Sequence, residues 1–472
     1  MKVAVKSLAP NASFGRGRVV EADYAWEDQA LFVCVRFAGA EWTCRDTEIL
    51  DSRYGELDRE RRVKERARLG IRRVFEQVYG LAESPWGILT GVRPMKMVHA
   101  MLDRGFPPAE LRQILLEVYA LSPKKADLLL EVAQAQRPFF RPNPNNPISI
   151  YIGIPFCPTR CSYCSFAAYP LETHGHLLKD FLKALHVEIE AVGRLVRELR
   201  LQVEAVYLGG GTPTTVQGED LKRLLGLISE HLLAGQDAEF TVEAGRPETL
   251  SRETLNILKA AGTQRICINP QTMHEPTLAA IGRRHTVADV HRAFALAREI
   301  GIPVINMDII VGLPGEELPQ VQRTLEEIGA LGPDNLTVHS LALKRASWLR
   351  KNLDQVRLAQ EQGEAMVDLA RDYALSWGMR PYYLYRQRHI LGDLENTGYA
   401  QPGTSSVYNI QMMEERQTTI ALGGGGISKL VASDLSLTRH ANPKCPAAYA
   451  SQIREHLNEK LDVLRRHLAN SS

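Results

Sequence analysis

Six short apolar runs alternate with amphipathic stretches between residues 149 and 342. The runs are SIYIGI, EAVYLGG, EFTVEA, RICINP, INMDIIVGL and NLTVHSLA. The stretches between them, such as FLKALHVEIEAVGRLV, carry apolar residues at steps of three and four, which predicts helices. Strands that alternate with helices form parallel sheets covered by helices. Six such units in series predict an α/β fold, a partial (β/α)6 TIM-like barrel.

Shifts in composition divide the chain into four predicted domains. Residues 1–55 alternate β-rich runs with polar turns, which predicts a small β-rich module. Residues 56–145 have a helical pattern and end in a Pro/Asn-rich linker within RPNPNNP (141–147). The barrel is expected at 146–345, and residues 346–472 are expected to form a C-terminal substrate-side domain that caps it.

Charge and hydropathy limit the partners of this chain. The 472 residues are 44% hydrophobic and carry a formal net charge of +2, so no global field attracts nucleic acid or an anionic membrane. The start MKVAVKSLAP lacks the apolar core of a signal peptide, and no apolar run reaches the roughly 18 residues of a membrane span. A cytoplasmic location is therefore expected.

The charged stretch DRERRVKERARLGIRR (58–73) distributes its charges over several helical faces, with Glu60 four residues before Lys64. We interpret it as a solvated helix face. An RNA or phosphate contact through Arg61, Arg62 and Arg66 is the alternative.

Three of the seven cysteines lie within eight positions, in CPTRCSYC (157–164), directly after the first predicted barrel strand. Seven unevenly spaced cysteines do not suit a disulfide framework, whereas clustered thiols favour a metal site. Loops after barrel strands are where TIM-like barrels carry reactive groups.

This spacing leaves three interpretations. Zinc in a structural site prefers four protein ligands, and Cys267 at the end of the fourth strand is a distant candidate for the fourth. An iron–sulfur cluster held by three thiolates would leave one iron open to an external ligand. Three unrelated surface thiols are the third interpretation.

The residues around the cysteines resemble a known superfamily. C-x3-C-x2-C with an aromatic residue before the last cysteine, here Tyr163, resembles the signature of radical S-adenosylmethionine (SAM) enzymes. IYIGIPFCPTRCSYCSF (150–166) is similar to the oxygen-independent coproporphyrinogen III oxidase group. The resemblance implies that Cys157, Cys161 and Cys164 hold a [4Fe–4S] cluster whose open iron is chelated by SAM.

The resemblance also implies SAM contacts along the strand ends. GGGTPT (209–214) is a turn whose glycines let backbone amides approach a ligand. RICINPQTM is similar to the R-[IL]-S-x-G-V-Q run of the group, with Cys267 in place of Ser and Asn269-Pro270 in place of Gly-Val. Strand ends of such barrels share one mouth, so the implied contacts should lie together. These contacts are Tyr151, Tyr163, Gly210, Gly211, Thr212, Glu243, Gln271, Arg283, Asp308 and Ala342.

Some of these motifs also have a structural interpretation. Glu243 suits a surface ion pair, and Asp308 suits a buried structural acid. VGLPGE (311–316) either packs near the adenine or simply ends a strand with a turn.

Outer segments such as PWGILTGVRPMK (85–96) resemble the coproporphyrinogen dehydrogenase (HemZ) branch of the group. That resemblance implies an oxidoreductase of haem and porphyrin biosynthesis. It would convert coproporphyrinogen III into protoporphyrinogen IX by oxidative decarboxylation through a 5′-deoxyadenosyl radical. A one-electron donor such as flavodoxin or ferredoxin is expected, whereas a membrane or nucleic-acid partner is not. No catalytic residue beyond the cluster is assigned.

Two departures from the group keep other functions open. The oxidases carry a further cysteine where this chain has Phe166, and haem chaperones of the group carry H-N-x-x-Y-W where this chain has SSVYNIQMM (405–413). A haem-binding chaperone and a radical SAM methyltransferase or RNA-modifying enzyme are the alternatives. A porphyrinogen would need propionate-binding cations, for which the candidates are Lys344, Arg345, Arg386 and Arg388.

Overall fold

The computed structural model describes residues 20–37, 42–80, 84–91, 93–164, 168–342, 353–387 and 390–469. The chain forms two compact units, residues 1–134 and 135–472. Phe166, Lys344, Arg345 and Arg388, which the sequence singled out, lie outside the described residues. The division into four domains stays a prediction.

The first unit contains a three-stranded antiparallel sheet, β1 (Val20–Glu27), β2 (Ala30–Phe37) and β3 (Trp42–Ile49), paired in sequence order. Alternate residues of β2 face helix α1 (Glu56–Tyr79), since side chains alternate along a strand. Three helices follow, α2 (Pro94–Asp103), α3 (Pro108–Glu117) and α4 (Pro123–Gln136). The core between sheet and helix consists of Leu31, Val33, Val35, Phe37, Ile71, Val74 and Phe75.

Helix α1 buries two of the arginines for which a solvated face was predicted. Arg62 and Arg66 are only 2% and 8% exposed, and Glu48 on β3 forms ion pairs with both, at 2.7 Å from Arg66 Nε. The prediction was wrong for these side chains because the carboxylate offsets the cost of removing each guanidinium from water. It is confirmed for Glu60 and Lys64, an exposed pair 3.8 Å apart. All three arginines proposed for an RNA contact thus form ion pairs within the unit, although Arg61 stays exposed.

The second unit is built on one eleven-stranded sheet. The strands of this unit are β4 (Ile148–Ile154), β5 (Phe156–Cys157), β6 (Tyr169–Pro170), β7 (Val203–Gly210), β8 (Glu239–Glu243), β9 (Arg265–Gln271), β10 (Val304–Val311), β11 (Asn335–Ser340), β12 (Arg380–Tyr385), β13 (Asn396–Ala400), β14 (Thr419–Gly423), β15 (Ile427–Val431) and β16 (Leu437–Ala441). The order in the large sheet is β12-β13-β11-β10-β9-β8-β7-β4-β14-β15-β16, and β5 pairs separately with β6.

Seven neighbouring strands of this sheet, from β11 through to β14, are parallel. Six of them are the six strands that the sequence predicts, so the α/β partial-barrel fold is confirmed. The seventh, β14, comes from the C-terminal part of the chain and pairs with β4. The strands β12, β13, β15 and β16 extend the two edges in antiparallel pairs.

Helices follow most of the parallel strands, as the apolar spacing predicts. Buried residues of α6, α7, α8, α10 and α11 pack against one face of the sheet. The helices of this unit are α5 (Leu171–His174), α6 (Leu178–Glu198), α7 (Gly218–Ile228), α8 (Arg252–Ala260), α9 (Glu275–Ala280), α10 (Val287–Ile300), α11 (Leu318–Leu331), α12 (Leu353–Ser376), α13 (Val407–Glu414), α14 (Pro446–Ser451) and α15 (Ile453–Ala469).

The parallel strands have an outer face covered by helices and an inner face that carries polar groups. Ile150, Ile152 and Ile154 of β4 lie in the core beneath the helices, so Tyr151 between them points to the inner face. The same alternation directs Glu243 of β8 inward. The inner face is therefore where the barrel can bind a ligand.

A fully buried ion pair joins α15 to the barrel. Lys460 Nζ lies 2.7 Å from Glu188 Oε1 on α6, and both side chains are 0% exposed. Glu188 also accepts hydrogen bonds from Gly423 N at 2.8 Å and from the Tyr449 hydroxyl at 2.5 Å. This carboxylate holds three C-terminal elements against α6.

We expect Lys460→Met to lower the free energy of unfolding by about 3–5 kcal/mol, because it leaves the Glu188 carboxylate buried without its cation. Arg465→Met is the matched control, since Arg465 pairs with Glu198 on the surface and its loss should cost less than about 1 kcal/mol. Urea unfolding followed by circular dichroism measures both. Equal costs for the two variants would contradict a structural role for the buried pair.

Candidate functional site

The CPTRCSYC loop leaves the carboxyl end of β4, as predicted. Cys157 ends the short strand β5 and is buried, Cys161 is buried, and Cys164 is half-buried. Burial raises the pKa of the Cys157 thiol, while a hydrogen bond from Thr212 and the charge of Arg246 oppose this rise. The loop therefore places thiols inside the protein next to groups that favour their thiolate form.

Backbone hydrogen bonds attach this loop to the glycine-rich turn after β7. Gly211 N donates to Ile154 O at 2.8 Å, and Thr212 N donates to Phe156 O at 2.7 Å. A Cβ atom at Gly211 would lie 2.4 Å from Phe156 O and 3.0 Å from Cys157 Sγ, so only glycine fits there. The predicted turn and the predicted cysteine loop are thus in direct contact.

Two buried arginines contact the loop from the next strand ends. Arg283 donates from Nη2 to the Tyr163 hydroxyl at 2.8 Å and from Nη1 to Gly245 O at 2.8 Å. Arg246 Nη2 lies 3.1 Å from Cys161 Sγ. Arg283 and Tyr163 were predicted as site residues, whereas Arg246 was not. Its signal was its position in EFTVEAGRPE, three residues after the predicted Glu243.

Glu243 lies at the carboxyl end of β8 on the inner face. It accepts hydrogen bonds from the Tyr207 hydroxyl at 2.6 Å and from Gly210 N at 3.0 Å. Burial raises the pKa of Glu243 to about 7, although these two hydrogen bonds oppose the rise. The surface ion pair considered from the sequence is not what the structure shows, because the carboxylate points into the barrel.

Asp308 lies further along the same inner face, on β10. It accepts a hydrogen bond from Asn306 Nδ2 at 2.6 Å, and His339 Nε2 lies 3.5 Å from its Oδ2. Burial raises the pKa of Asp308, but His339 and Asn306 outweigh burial and hold it below its usual value. The His339 ring contacts the Tyr385 hydroxyl at 3.3 Å, so the acid is linked to β12. The sequence reasoning missed His339 and Tyr385.

Gln271, the last residue of β9, has an unusual backbone conformation and a buried side-chain oxygen. Its backbone φ is +67°, a region that non-glycine residues rarely adopt. Its side-chain Oε1 is buried, and in the described part of the chain no protein group donates to it. A strained residue with an unsatisfied buried acceptor suits a ligand contact. Ala342, the last predicted contact, forms an isolated bridge with Ile390.

Tyr151 belongs to a stack of three tyrosines on the inner face. Its ring centroid lies 6.3 Å from that of Tyr207 and 6.2 Å from that of Tyr408, and Tyr207 and Tyr408 are 4.3 Å apart. Tyr408 comes from α13, within the segment SSVYNIQMM. Sequence patterns gave no sign that this residue approaches β4.

The residues fit an iron–sulfur cluster with SAM. Three thiols lie on one loop, a glycine turn brings backbone close to Cys157, and Gln271 offers an unsatisfied acceptor. Within the described residues, no three His, Cys, Asp or Glu side chains are already gathered as a metal site. Hydrogen bonds from Thr212 and Arg246 engage two of the sulfurs instead. Cys267 lies on the inner face, where burial raises its thiol pKa.

Comparison with known proteins identifies the class. The sequence profile of the radical SAM superfamily matches residues 151–328. The oxygen-independent coproporphyrinogen-III oxidase-like protein HemZ of Bacillus subtilis (strain 168) is 40% identical over 389 residues, which are 80% of this chain and 77% of that protein. The chain belongs to the radical SAM superfamily. Within the superfamily, it belongs to the oxygen-independent coproporphyrinogen-III oxidase-like group that includes HemZ.

The chain is also similar to a haem chaperone and to a solved oxidase structure. The heme chaperone HemW of B. subtilis is 32% identical over 273 residues, or 57% of this chain and 68% of HemW. The solved structure of coproporphyrinogen III oxidase (HemN) from Escherichia coli matches with a TM-score of 0.53 and 22% identity. The match covers 69% of this chain and 73% of HemN, and at this identity the match supports the fold alone.

Superfamily membership defines the cofactors. Radical SAM proteins bind a [4Fe–4S] cluster and SAM, and these are the cofactors of this protein. Among the helices that the structure describes, none is long and apolar enough to cross a membrane.

The raised pKa of Glu243 predicts a pH-dependent stability. Between its usual pKa of 4.5 and about 7 the folded protein keeps a proton that the unfolded chain loses. This contribution to the free energy of unfolding is therefore complete below pH 4.5 and is lost as the pH rises through 7. The difference of about 2.5 pH units corresponds to about 3 kcal/mol.

We expect Glu243→Gln to remove this pH-dependent contribution to the free energy of unfolding, which urea unfolding between pH 5 and 8 measures. Glu316, whose pKa burial also raises to about 7, contributes a second component of the same sign. Glu316→Gln is therefore the matched control and should remove only its own share. Wild-type pH dependence in the Glu243→Gln variant would show that Glu243 is already ionised in the folded protein.

Proposed function

We propose that this protein is a radical SAM enzyme that oxidatively decarboxylates coproporphyrinogen III to protoporphyrinogen IX without oxygen. The supporting observation is that the CPTRCSYC loop, the glycine turn, Glu243 and Gln271 occupy neighbouring strand ends of one barrel, with Asp308 on the next strand. The 40% identity to the HemZ-like relative over most of both chains supports the same reaction.

We assign the cluster to Cys157, Cys161 and Cys164. The ten predicted SAM contacts, from Tyr151 to Ala342, are assigned to SAM because they stand in motifs that resemble those of the superfamily. When bound, the two cofactors supply hydrogen-atom abstraction from the substrate. The protein residues bind and orient: the inner carboxylates Glu243 and Asp308 accept hydrogen bonds, and Gln271 offers its unsatisfied carbonyl.

The barrel must also exclude water and oxygen from the reacting atoms. The tyrosine stack of Tyr151, Tyr207 and Tyr408 fills part of the inner face, which removes space for solvent near Glu243. At each of two propionates the substrate loses a hydrogen atom, carbon dioxide and one electron, and a vinyl group remains. An external acceptor takes that electron, and a donor such as flavodoxin or ferredoxin reduces the cluster.

Arg386 is the one described residue among the candidates for propionate binding. Arg386 is only 4% exposed. It donates from Nη2 to Asp393 O at 2.7 Å and lies 3.2 Å from the Asp393 carboxylate. We therefore propose that Arg386 shapes the segment after β12, and that propionates are bound by cations elsewhere at the barrel mouth.

Haem delivery is the competing function, because HemW relatives match more than half of this chain. The segment SSVYNIQMM, which stands where such chaperones carry H-N-x-x-Y-W, forms α13 in this structure. Its Tyr408 is buried in the tyrosine stack rather than presented to a haem. This placement favours the enzyme.

We expect the reconstituted wild-type protein, given SAM, a reductant and coproporphyrinogen III without oxygen, to form 5′-deoxyadenosine and the divinyl product. Mass spectrometry detects both. Cys161→Ala should lose the cluster and both products, since it removes one of three proposed ligands. Cys445→Ala, which changes an exposed free thiol, is the matched control and should retain both.

The products decide between the functions. Formation of 5′-deoxyadenosine without the divinyl product would reject this substrate and retain the class of enzyme. Stoichiometric haem binding without either product would reject the proposal in favour of delivery.

A further inference from the structure

A buried guanidinium lies directly against the middle cysteine of the CPTRCSYC loop. Arg246, three residues beyond the end of β8, is 3% exposed. Its Nη2 lies 2.8 Å from Thr159 O, 3.2 Å from Thr159 Oγ1 and 3.1 Å from Cys161 Sγ. One terminal nitrogen thus contacts the loop backbone and the sulfur together.

The other terminal nitrogen of this guanidinium, Nη1, faces a carboxylate. Arg246 Nη1 lies 3.3 Å from Glu248 Oε1, and the Glu248 side chain is 25% exposed. His285, which is buried, lies 3.4 Å from the other oxygen of Glu248. Because Glu248 reaches solvent and Arg246 does not, the carboxylate offsets the charge of Arg246 only in part at the sulfur.

The second buried arginine has a different target. Arg283 binds the Tyr163 hydroxyl and Gly245 O, and its contacts leave the sulfurs untouched in the described structure. The charge of Arg283 also acts on Cys161, but from a longer distance, since its N–H groups bind the aromatic ring between the second and third cysteines. Of the two, Arg246 is the arginine whose N–H group contacts a sulfur directly in the described structure. A purely structural clamp on the loop would need only the contacts to Thr159.

We propose that Arg246 is a positioning residue that donates a hydrogen bond to the Cys161 thiolate and raises the reduction potential of the cluster. The inference rests on the proposed assignment of Cys161 as a cluster ligand. Reduction adds one electron, and hence one negative charge, to the cluster. A fixed cation and an N–H donor at a ligand sulfur stabilise that reduced state more than the oxidised one.

Glu248 supplies a test of opposite sign. Arg246→Met removes the cation and should shift the reduction equilibrium about tenfold toward the oxidised cluster, which corresponds to about 59 mV for one electron. Glu248→Gln leaves the arginine in place but removes its counter-charge, so it should shift the potential toward easier reduction. Arg246→Lys keeps the charge and should recover part of the wild-type potential.

The experiment is a redox titration of the reconstituted full-length protein, followed by electron paramagnetic resonance of the reduced cluster. Iron content and circular dichroism of every variant show whether cluster and fold are retained. Arg284→Met is the charge-matched control, because Arg284 is exposed and pairs with Glu172 at the surface; its potential should equal that of the wild type.

Opposite shifts for Arg246→Met and Glu248→Gln support the proposal. Unchanged potentials in cluster-loaded Arg246→Met and Glu248→Gln overturn it; if Arg246→Met does not load a cluster, an unchanged potential in Glu248→Gln overturns it by itself. Full cluster content in Cys161→Ala would instead refute the assignment of Cys161 as a cluster ligand. The two tests therefore distinguish an error in that assignment from an error in the proposed effect of Arg246 on the potential. Substrate identity affects none of these readouts.

Discussion

The site depends on two backbone hydrogen bonds between neighbouring parallel strand ends. Gly211 N and Thr212 N bind the carbonyls of Ile154 and Phe156, and this pairing continues the register of β4 and β7 beyond the sheet. It brings the glycine turn so close to Cys157 that a side chain at Gly211 would collide with the loop. Because both segments leave adjacent strands of one sheet, their contact follows from strand order, and every other group of the site is arranged around it.

Charge inside the barrel is balanced locally. Burial raises the pKa of Glu243, and its neutral partners, a tyrosine hydroxyl and a backbone amide, oppose the rise only in part, whereas His339 lowers the pKa of Asp308 on the same face. Arginines lie instead at the cysteine loop, where thiolates and a SAM carboxylate would need positive partners. The buried acids Glu243 and Asp308 thus lie on the inner face, and the buried arginines Arg246 and Arg283 lie at the cysteine loop.

Much of the fold and the position of the site could be predicted from local patterns. The six strands, the helices between them and the cysteine loop at the end of β4 were recognisable because apolar spacing and residue order are local properties. Arg62 and Arg66 were misjudged because no local pattern tells which charge will meet a carboxylate on a distant strand. Tyr408 and His339 were missed for the same reason: each reaches the site through pairing between remote segments.

The sequence by itself determined the superfamily of this protein and, with it, the cofactors. The cysteine motif after the first strand and the motifs that follow it resemble those of radical SAM proteins, and such motifs are recognisable because they consist of adjacent residues. Only the tertiary structure decided that Arg246 lies 3.1 Å from Cys161 and that Glu243 is held by Tyr207 and Gly210. Those distances arise because parallel strands place the ends of distant segments side by side, in an order that the linear chain does not reveal.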